Sequence, residues 1–298
     1  MSDTDTIGFI GLGVMGGPMC RNVALKHPGQ VKAFDLSADA LAALSDTKAE
    51  AMTSIDALAA EADVIFLSLP GGPQVEKVAS VIADHAREGT VVVDLSTTPV
   101  AVAREVANMF AGRGLRFADA PVARTREAAQ RGELSIMVGA PDELFDRIAP
   151  LLAYVATDIT HGGDVGAGQV LKLVNNMLVF ANTVALAEMM VLGEKAGVEA
   201  ETLLEAVSKG SGDSFVLRNH GRKAMLPREF PDKAFSPEYA LKDISYVFEL
   251  AEETGLSLSA ADTARRYYEA AIRHGLGSRY FPCVIKVVED NAMAGDKT

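Results

Sequence analysis

The chain has 298 residues, 49% of them hydrophobic, enough to bury a large core and to divide into two domains. Its formal net charge of −12 argues against nucleic acid or an anionic membrane surface as a partner, and an anionic ligand would need positive charge within its own site. The two cysteines, Cys20 and Cys283, make no disulfide framework, and His27, His85, His161, His220 and His274 lack the spacing of a zinc site, so no metal is expected.

Residues 1–5 are polar and acidic, unlike a signal or transit peptide, which leaves the cytoplasm as the expected compartment. An apolar run at 6–11 predicts a strand that passes straight into Gly11-Leu12-Gly13-Val14-Met15-Gly16, a Gly-x-Gly-x-x-Gly turn, before a helix at 18–26. A dinucleotide needs this spacing: Gly11 permits the tight turn, Gly13 leaves room for the pyrophosphate, and Gly16 lets the helix pack on the strand. The first helical amides and the helix dipole then hold the anion. A second strand, 31–35, ends in Asp35, at the distance where an acid grips the ribose hydroxyls. The plain alternative is a structural turn followed by a loop aspartate.

Further strands are read at 63–69, 90–95, 115–119, 134–138 and 158–161, with helices at 41–45, 55–62, 74–86, 100–112 and 142–153. This alternation predicts right-handed crossovers and a mostly parallel, doubly wound sheet covered on both faces. Three strands end in small polar clusters: Ser68-Leu69-Pro70-Gly71-Gly72, Asp94-Leu95-Ser96-Thr97-Thr98-Pro99 and Asp119-Ala120-Pro121-Val122-Ala123-Arg124-Thr125. Any one is an ordinary turn. Three in succession predict a binding rim at the carboxyl ends of the strands.

After Gly162-Gly163 the pattern changes to about thirty residues at helical period, a helix roughly 40 Å long. The expected domains are therefore 1–163, a Rossmann-type α/β domain, and 164–298, an all-helical domain with breaks at Gly210–Gly212 and in the loop 227–237. Residues 170–193 have the apolar length of a membrane span. They also contain Lys172, Asn175, Asn176, Asn182 and Glu188, so a long buried helix joining the domains is expected instead. The small polar stretch 294–298 is expected to fray.

Lys172 has Asn175 and Asn176 at i+3 and i+4, which places both amides on its face of the helix. A lysine in this apolar segment would lose hydration, lower its pKa and exchange a proton near neutral pH. Hydride transfer at a carbinol carbon needs such a partner, with an asparagine holding the oxygen. A snorkelling lysine beside two backbone-capping amides fits the pattern equally well. Lys242-Asp243, after Phe235-Ser236-Pro237, reads as a solvated surface pair, and Arg124 as a local partner of Glu127.

These motifs taken together resemble the β-hydroxyacid dehydrogenase family. The match runs from Gly11 through Pro18-Met19 and Asn22 to Leu69-Pro70, Asp94-Leu95-Ser96-Thr97 and Asp119-Ala120-Pro121-Val122. It continues through 132–139, Gly166-x-Gly168-x-x-x-Lys172-x-x-Asn175-Asn176 and Lys242-Asp243, covering roughly residues 6 to 270 in order. The resemblance implies a Rossmann-type domain, a connecting helix, a helical domain like that of 6-phosphogluconate dehydrogenase, and a cleft between the domains. It implies Lys172 as acid/base and Asn176 as the residue that positions the substrate oxygen, with Asn175 beside the substrate. Leu12, Val14, Met15, Leu69, Pro70, Thr97, Phe235 and Lys242 would contact the cofactor. It also implies a homodimer or homotetramer.

Members that prefer NADP carry Asn-Arg-Thr after the second strand, whereas this chain has Asp35-Leu36-Ser37; the carboxylate repels a 2′-phosphate, and NAD is expected. The family's substrate loop reads Ser-Gly-Gly, where a hydroxyl and backbone amides receive a carboxylate. Here Ala123-Arg124-Thr125 stands in its place, similar to the sulfolactaldehyde reductase branch. A guanidinium suits a sulfonate or carboxylate, so Ala123, Arg124 and Thr125 are expected to anchor a small anionic hydroxy acid or aldehyde. The family pattern fades after Gly275-Leu276-Gly277. Two other readings are imine reduction, whose relatives usually lack the lysine kept here, and a catalytically silent dinucleotide-binding protein.

Overall fold

The computed structural model describes residues 5–232 and 234–290. The expected fraying of 294–298 and most of the polar N-terminal stretch lie outside the described residues. The chain divides into two compact units, Met1–Lys172 and Leu173–Thr298.

The first unit runs β1 (Ile7–Ile10), α1 (Gly16–Lys26), β2 (Val31–Phe34), α2 (Ala38–Ala42), β3 (Glu50–Ala51), α3 (Ile55–Glu61), β4 (Val64–Leu67), α4 (Gly72–His85), β5 (Val91–Asp94) and α5 (Val100–Ala111). It continues through β6 (Arg116–Asp119), β7 (Val122–Ala123), α6 (Arg126–Arg131), β8 (Leu134–Gly139), α7 (Asp142–Leu152) and β9 (Ala156–Gly163). The sheet has the order β3-β2-β1-β4-β5-β6-β8-β7, with β9 on β8. It is parallel from β3 to β6; β8 then runs antiparallel to β6 and β7, and β9 parallel to β8.

The central strands are short apolar runs because both faces are covered. Ile7, Phe9, Val64, Phe66, Val91 and Val93 pack into the core on one face, and Ile10, Ile65, Leu67 and Val92 into the core on the other, as a period of two requires. The parallel arrangement puts the turns after β1, β4, β5 and β6 along one edge, the rim expected from their polar clusters.

The structure adds three short elements that the sequence reading lacks: β3, β7 and α6. Each has six residues or fewer, too few for a period to declare itself; tertiary pairing and a side-chain cap define them instead. α2 starts at Ala38 rather than at 41, because the Ser37 hydroxyl accepts the Ala40 amide at 3.3 Å and begins the helix there.

α8 (Ala167–Lys195) carries the chain from the first unit into the second, where α9 (Ala200–Ser208), α10 (Pro237–Thr254), α11 (Ser259–Arg273) and α12 (Val284–Glu289) follow. A π-helical segment, Leu217–Met225, and a 3₁₀ turn, Phe281–Cys283, complete this unit around a core that includes Phe180, Leu204, Tyr268 and Phe281. Among the described residues its β pairing is a single bridge, Asp232 to Arg279.

α8 departs from expectation in one respect. Only 33% of its most apolar window is buried within the chain, and Leu171, Val174, Leu178, Met189 and Leu192 stay exposed in one stripe at helical spacing. Composition foretold a long apolar helix; it did not reveal that this chain leaves one side of it uncovered.

Candidate active site

Gly11 takes φ +94°, and a Cβ there would fall 2.3 Å from the Ser68 carbonyl oxygen, so the turn after β1 admits only glycine. A Cβ on Gly16 would lie 2.0 Å from the Gly11 oxygen, which shows how tightly α1 packs back on the turn. Gly13 is different: nothing stands within 4 Å of where its Cβ would be, and the backbone faces open space. Met15, at the N-cap of α1, offers no side-chain acceptor to the first helical amides. An exposed glycine backbone leading into an uncapped helix start fits a pyrophosphate.

Asp35 braces the end of this loop. Its carboxylate accepts the Leu12 amide at 2.6 Å and the Ser37 amide at 2.7 Å, so one side chain ties the glycine turn to the end of β2. Leu36, next to it, is 95% exposed. Further along the rim the Leu69 amide donates to the Ser96 hydroxyl at 2.8 Å; Leu69 and Thr97 are half-buried, and Pro70 and Val14 are exposed.

Lys172 is positioned by residues that the sequence reading missed. The buried carboxylate of Asp119, at the end of β6, accepts the Gly166 amide at 2.6 Å and the Gln169 amide at 2.8 Å, and so caps the start of α8. Burial pushes this carboxyl up to about 6, against the pull of the amides that favour its ionised form. Gly168 must be glycine, since a Cβ would lie 2.4 Å from the Met137 oxygen and 2.7 Å from the Asp119 oxygen. Gln169, fully buried, donates from Nε2 to the Ser96 carbonyl at 2.9 Å and accepts the Thr98 amide at 3.1 Å. The first turn of α8 is thus fastened to the loop containing Thr97. Lys172 follows Gln169 by three residues, on nearly the same face, and is 9% exposed. Asp119 stood in the sequence as one of the polar clusters, but nothing local linked it to residues 47 and 50 positions away.

One turn after Lys172, Asn176 is buried and Asn175 half-buried. Asn176 Nδ2 donates to Asp243 at 2.7 Å, and its Oδ1 accepts from Asn175 Nδ2 at 3.1 Å. Asp243, on α10, is 2% exposed, and its Oδ1 lies 3.1 Å from Lys242 Nζ. The reading of Lys242-Asp243 as a solvated surface pair is therefore corrected, because the carboxylate is buried against Asn176 of α8 and only the lysine stays near water. Lys242 also stands over the rings of Tyr239 and Tyr246 at 5.8 and 5.4 Å. Phe235, 38% exposed, stacks on Phe180 with ring centres 5.9 Å apart.

On the loop after β6, Ala123 ends β7 and the Thr125 hydroxyl accepts the Ala128 amide at 3.4 Å, capping α6. Between them Arg124 sits at φ +87°, a left-handed conformation that costs an L-residue roughly 1–2 kcal/mol. Its guanidinium donates to the Glu133 carbonyl at 2.6 Å, the Thr157 hydroxyl at 2.9 Å and the Asp158 carboxylate at 2.5 Å. The ion partner is Asp158 on β9, where the sequence suggested Glu127. Elsewhere burial pushes the Cys20 and Cys283 thiols up to about 12, which makes neither a nucleophile. Among the described residues no group of three or more His, Cys, Asp or Glu side chains is placed to hold a metal ion.

Comparison with known proteins places the two parts of the chain in known families. Residues 6–163 match the family described as the NAD binding domain of 6-phosphogluconate dehydrogenase, and residues 166–288 the one described as NAD-binding of NADP-dependent 3-hydroxyisobutyrate dehydrogenase. The chain belongs to the β-hydroxyacid dehydrogenase family. It is 37% identical over 292 residues to the 2-(hydroxymethyl)glutarate dehydrogenase of Eubacterium barkeri, covering 97% of this chain and 96% of that one. It is 38% identical over 215 residues to the 3-hydroxyisobutyrate dehydrogenase of Pseudomonas aeruginosa, 71% of this chain and 72% of the relative. The solved Mycobacterium tuberculosis 3-hydroxyisobutyrate dehydrogenase with L-serine superposes with a TM-score of 0.88 at 29% identity, over 96% of this chain and 99% of that one. As a β-hydroxyacid dehydrogenase, the chain is an oxidoreductase that uses a nicotinamide dinucleotide on a small hydroxy acid.

Proposed function

We propose that this enzyme interconverts a primary alcohol and its aldehyde in a short acid whose reacting oxygen sits on the carbon β to a carboxylate, with Lys172 as acid/base and NAD preferred over NADP. The compounds in the relatives' names share that pattern: 3-hydroxyisobutyrate, L-serine and 2-(hydroxymethyl)glutarate each carry a hydroxymethyl group on the carbon next to a carboxylate. The observation that carries the reading is a lysine 9% exposed on a helix whose first turn is bound to the rim through Asp119 and Gln169.

Gly11 to Gly16 and Asp35 would hold the dinucleotide, which when bound accepts or supplies the hydride. As the carbinol carbon is oxidised, its hydroxyl must lose a proton, and the Lys172 amine takes it; in reduction the ammonium returns it. Asn176 presents a fixed donor to the same oxygen, because Asp243 and Asn175 already define which end of its amide is Nδ2. The loop 123–125 receives the substrate's anion. Arg124 already holds an ion pair with Asp158, which favours a carboxylate bound by the loop backbone over a sulfonate bound by the guanidinium. Asp35, and the absence of a cation at Leu36, support NAD.

The exposed apolar stripe of α8 supports a second copy of the chain as its cover, in a homodimer or homotetramer, which the mass from sedimentation equilibrium would show. The activity is tested by NAD reduction with 3-hydroxyisobutyrate, L-serine, 2-(hydroxymethyl)glutarate and three-carbon sulfonates. Lys172→Ala is expected to keep NAD binding and lose about 10²–10⁴-fold in turnover; a variant as fast as wild type removes Lys172 from the chemistry.

A further inference from the structure

We infer that Arg124 is a positioning residue: its guanidinium straps the substrate loop across β8 to the edge strand β9 and holds the left-handed turn that aims the loop's own amides at the substrate carboxylate. The inference rests on the proposed role of residues 123–125 as the anion loop and gives that loop a mechanism.

Three observations carry it. First, Arg124 takes φ +87°, a conformation that glycine adopts freely and an arginine does not, at the position where the family pattern reads glycine. Such a turn persists only if its surroundings over-determine it. Second, those surroundings are identifiable. Ala123 pairs with Ser135 on β8, and Ser135 with Asp158 on β9, so Arg124 reaches over one strand to grip the next. It does so with two terminal nitrogens, at 2.6 Å to the Glu133 carbonyl, 2.9 Å to Thr157 and 2.5 Å to Asp158. Thr157 also donates to Asp158 at 2.9 Å, which braces the receiving carboxylate. Third, both terminal nitrogens are engaged within this unit, while among the described residues the Arg124 and Thr125 amides meet no acceptor. The charged group is thus the fastening, and the backbone beside it is the part left to meet an anion.

The test separates fastening from direct contact. Asp158 is 56% exposed, so Asp158→Ala is expected to fold normally. The measurement is steady-state kinetics of the full-length enzyme on whichever of 3-hydroxyisobutyrate, L-serine and 2-(hydroxymethyl)glutarate it turns over best. Arg124→Ala and Asp158→Ala are each expected to raise KM about tenfold with little change in kcat, and the double variant to be no worse than either alone. Arg124→Gly, which adopts the turn without strain, is expected to recover part of the loss. If instead Arg124→Ala raises KM while Asp158→Ala leaves it unchanged or lowers it, the guanidinium touches the substrate and the inference fails. It fails equally if both variants match wild type.

Amide hydrogen exchange across 122–128 reads the strap without any substrate. Faster exchange in Asp158→Ala supports it, and unchanged exchange overturns it whatever the activity. A wild-type enzyme inactive on every compound would overturn the proposed reaction instead, with the exchange result still deciding the strap.

Discussion

The side-chain amide of Asn176 donates a 2.7 Å hydrogen bond to the carboxylate of Asp243, 67 residues away and almost sealed from water. A carboxylate only accepts, so the group facing it must be the Nδ2 end of the amide. The Asn175 side chain donates to the other end at 3.1 Å. Asn176 is thereby held in one of its two flips, and in the proposed reaction the second hydrogen of Nδ2 would meet the substrate oxygen.

Asp243 should therefore matter to turnover without touching substrate. Asp243→Ala frees the Asn176 amide to rotate and leaves a buried donor unmatched. The expected result is a fall of about tenfold or more in kcat/KM, the kinetic equivalent of roughly 1–3 kcal/mol, with NAD affinity unchanged. Asp243→Asn can still offer Asn176 a carbonyl acceptor, so its loss should be smaller. Equal kcat/KM in wild type and Asp243→Ala would show that Asn176 needs no such support.

How much of this was legible depends on the length over which each signal is written. The glycine turn, the rim clusters and the central strands are local: Gly11 to Gly16 declare their backbone, and runs such as Val91–Asp94 declare burial on both faces. Lys172 was legible as a residue of interest because the apolar helix around it made its charge conspicuous. Asp243 was not, since a Lys-Asp pair carries no mark of which carboxylates a neighbouring helix will bury. Gln169 and Asp119 act through contacts 47 to 73 residues apart in sequence, and only the folded sheet brings them together. Arg124 showed its charge in the sequence and hid its backbone, which proves the more unusual property. β3, β7 and α6 are too short to impose a period, so no reading of pattern finds them.

The proposed preference for NAD rests on two adjacent residues, Asp35 and Leu36, and is expected to shift through one of them. Leu36 is 95% exposed, so Leu36→Arg should change stability by no more than about 0.5 kcal/mol. It places a cation where a 2′-phosphate would lie while Asp35 keeps its bonds to the Leu12 and Ser37 amides. The ratio of kcat/KM for NAD to that for NADP is expected to fall about tenfold or more, mostly through KM for NADP, in line with a charged hydrogen bond of roughly 1.5–3 kcal/mol. Asp35→Ala should instead weaken both cofactors, since it unfastens the glycine turn. A Leu36→Arg enzyme with an unaltered ratio would place the ribose elsewhere on the rim.

Asp119 predicts an unusual pH dependence for the first unit. Its carboxyl is pushed up to about 6 in the folded protein, from 3.8 when unperturbed, because burial outweighs the Gly166 and Gln169 amides that favour the anion. Between those two values the folded state holds the proton and the unfolded state has released it. Stability therefore falls as pH rises from about 4 to about 6, opposite to the trend of a salt-bridged aspartate, by up to about 3 kcal/mol at 1.36 kcal/mol per unit. Above the folded value the penalty is fully present and constant. Asp119→Asn does not titrate, but it turns an NH₂ toward one of two backbone donors, so it should destabilise the start of α8 at every pH. Denaturant unfolding followed by circular dichroism at several pH values measures the gap between the two proteins. The gap should be widest near pH 4 and narrow toward pH 6.5, because only wild type loses stability over that range. A gap that widens with rising pH would mean that the amides, rather than burial, set the charge of Asp119, and that the carboxylate fastening α8 to the rim is stabilised in its ionised form.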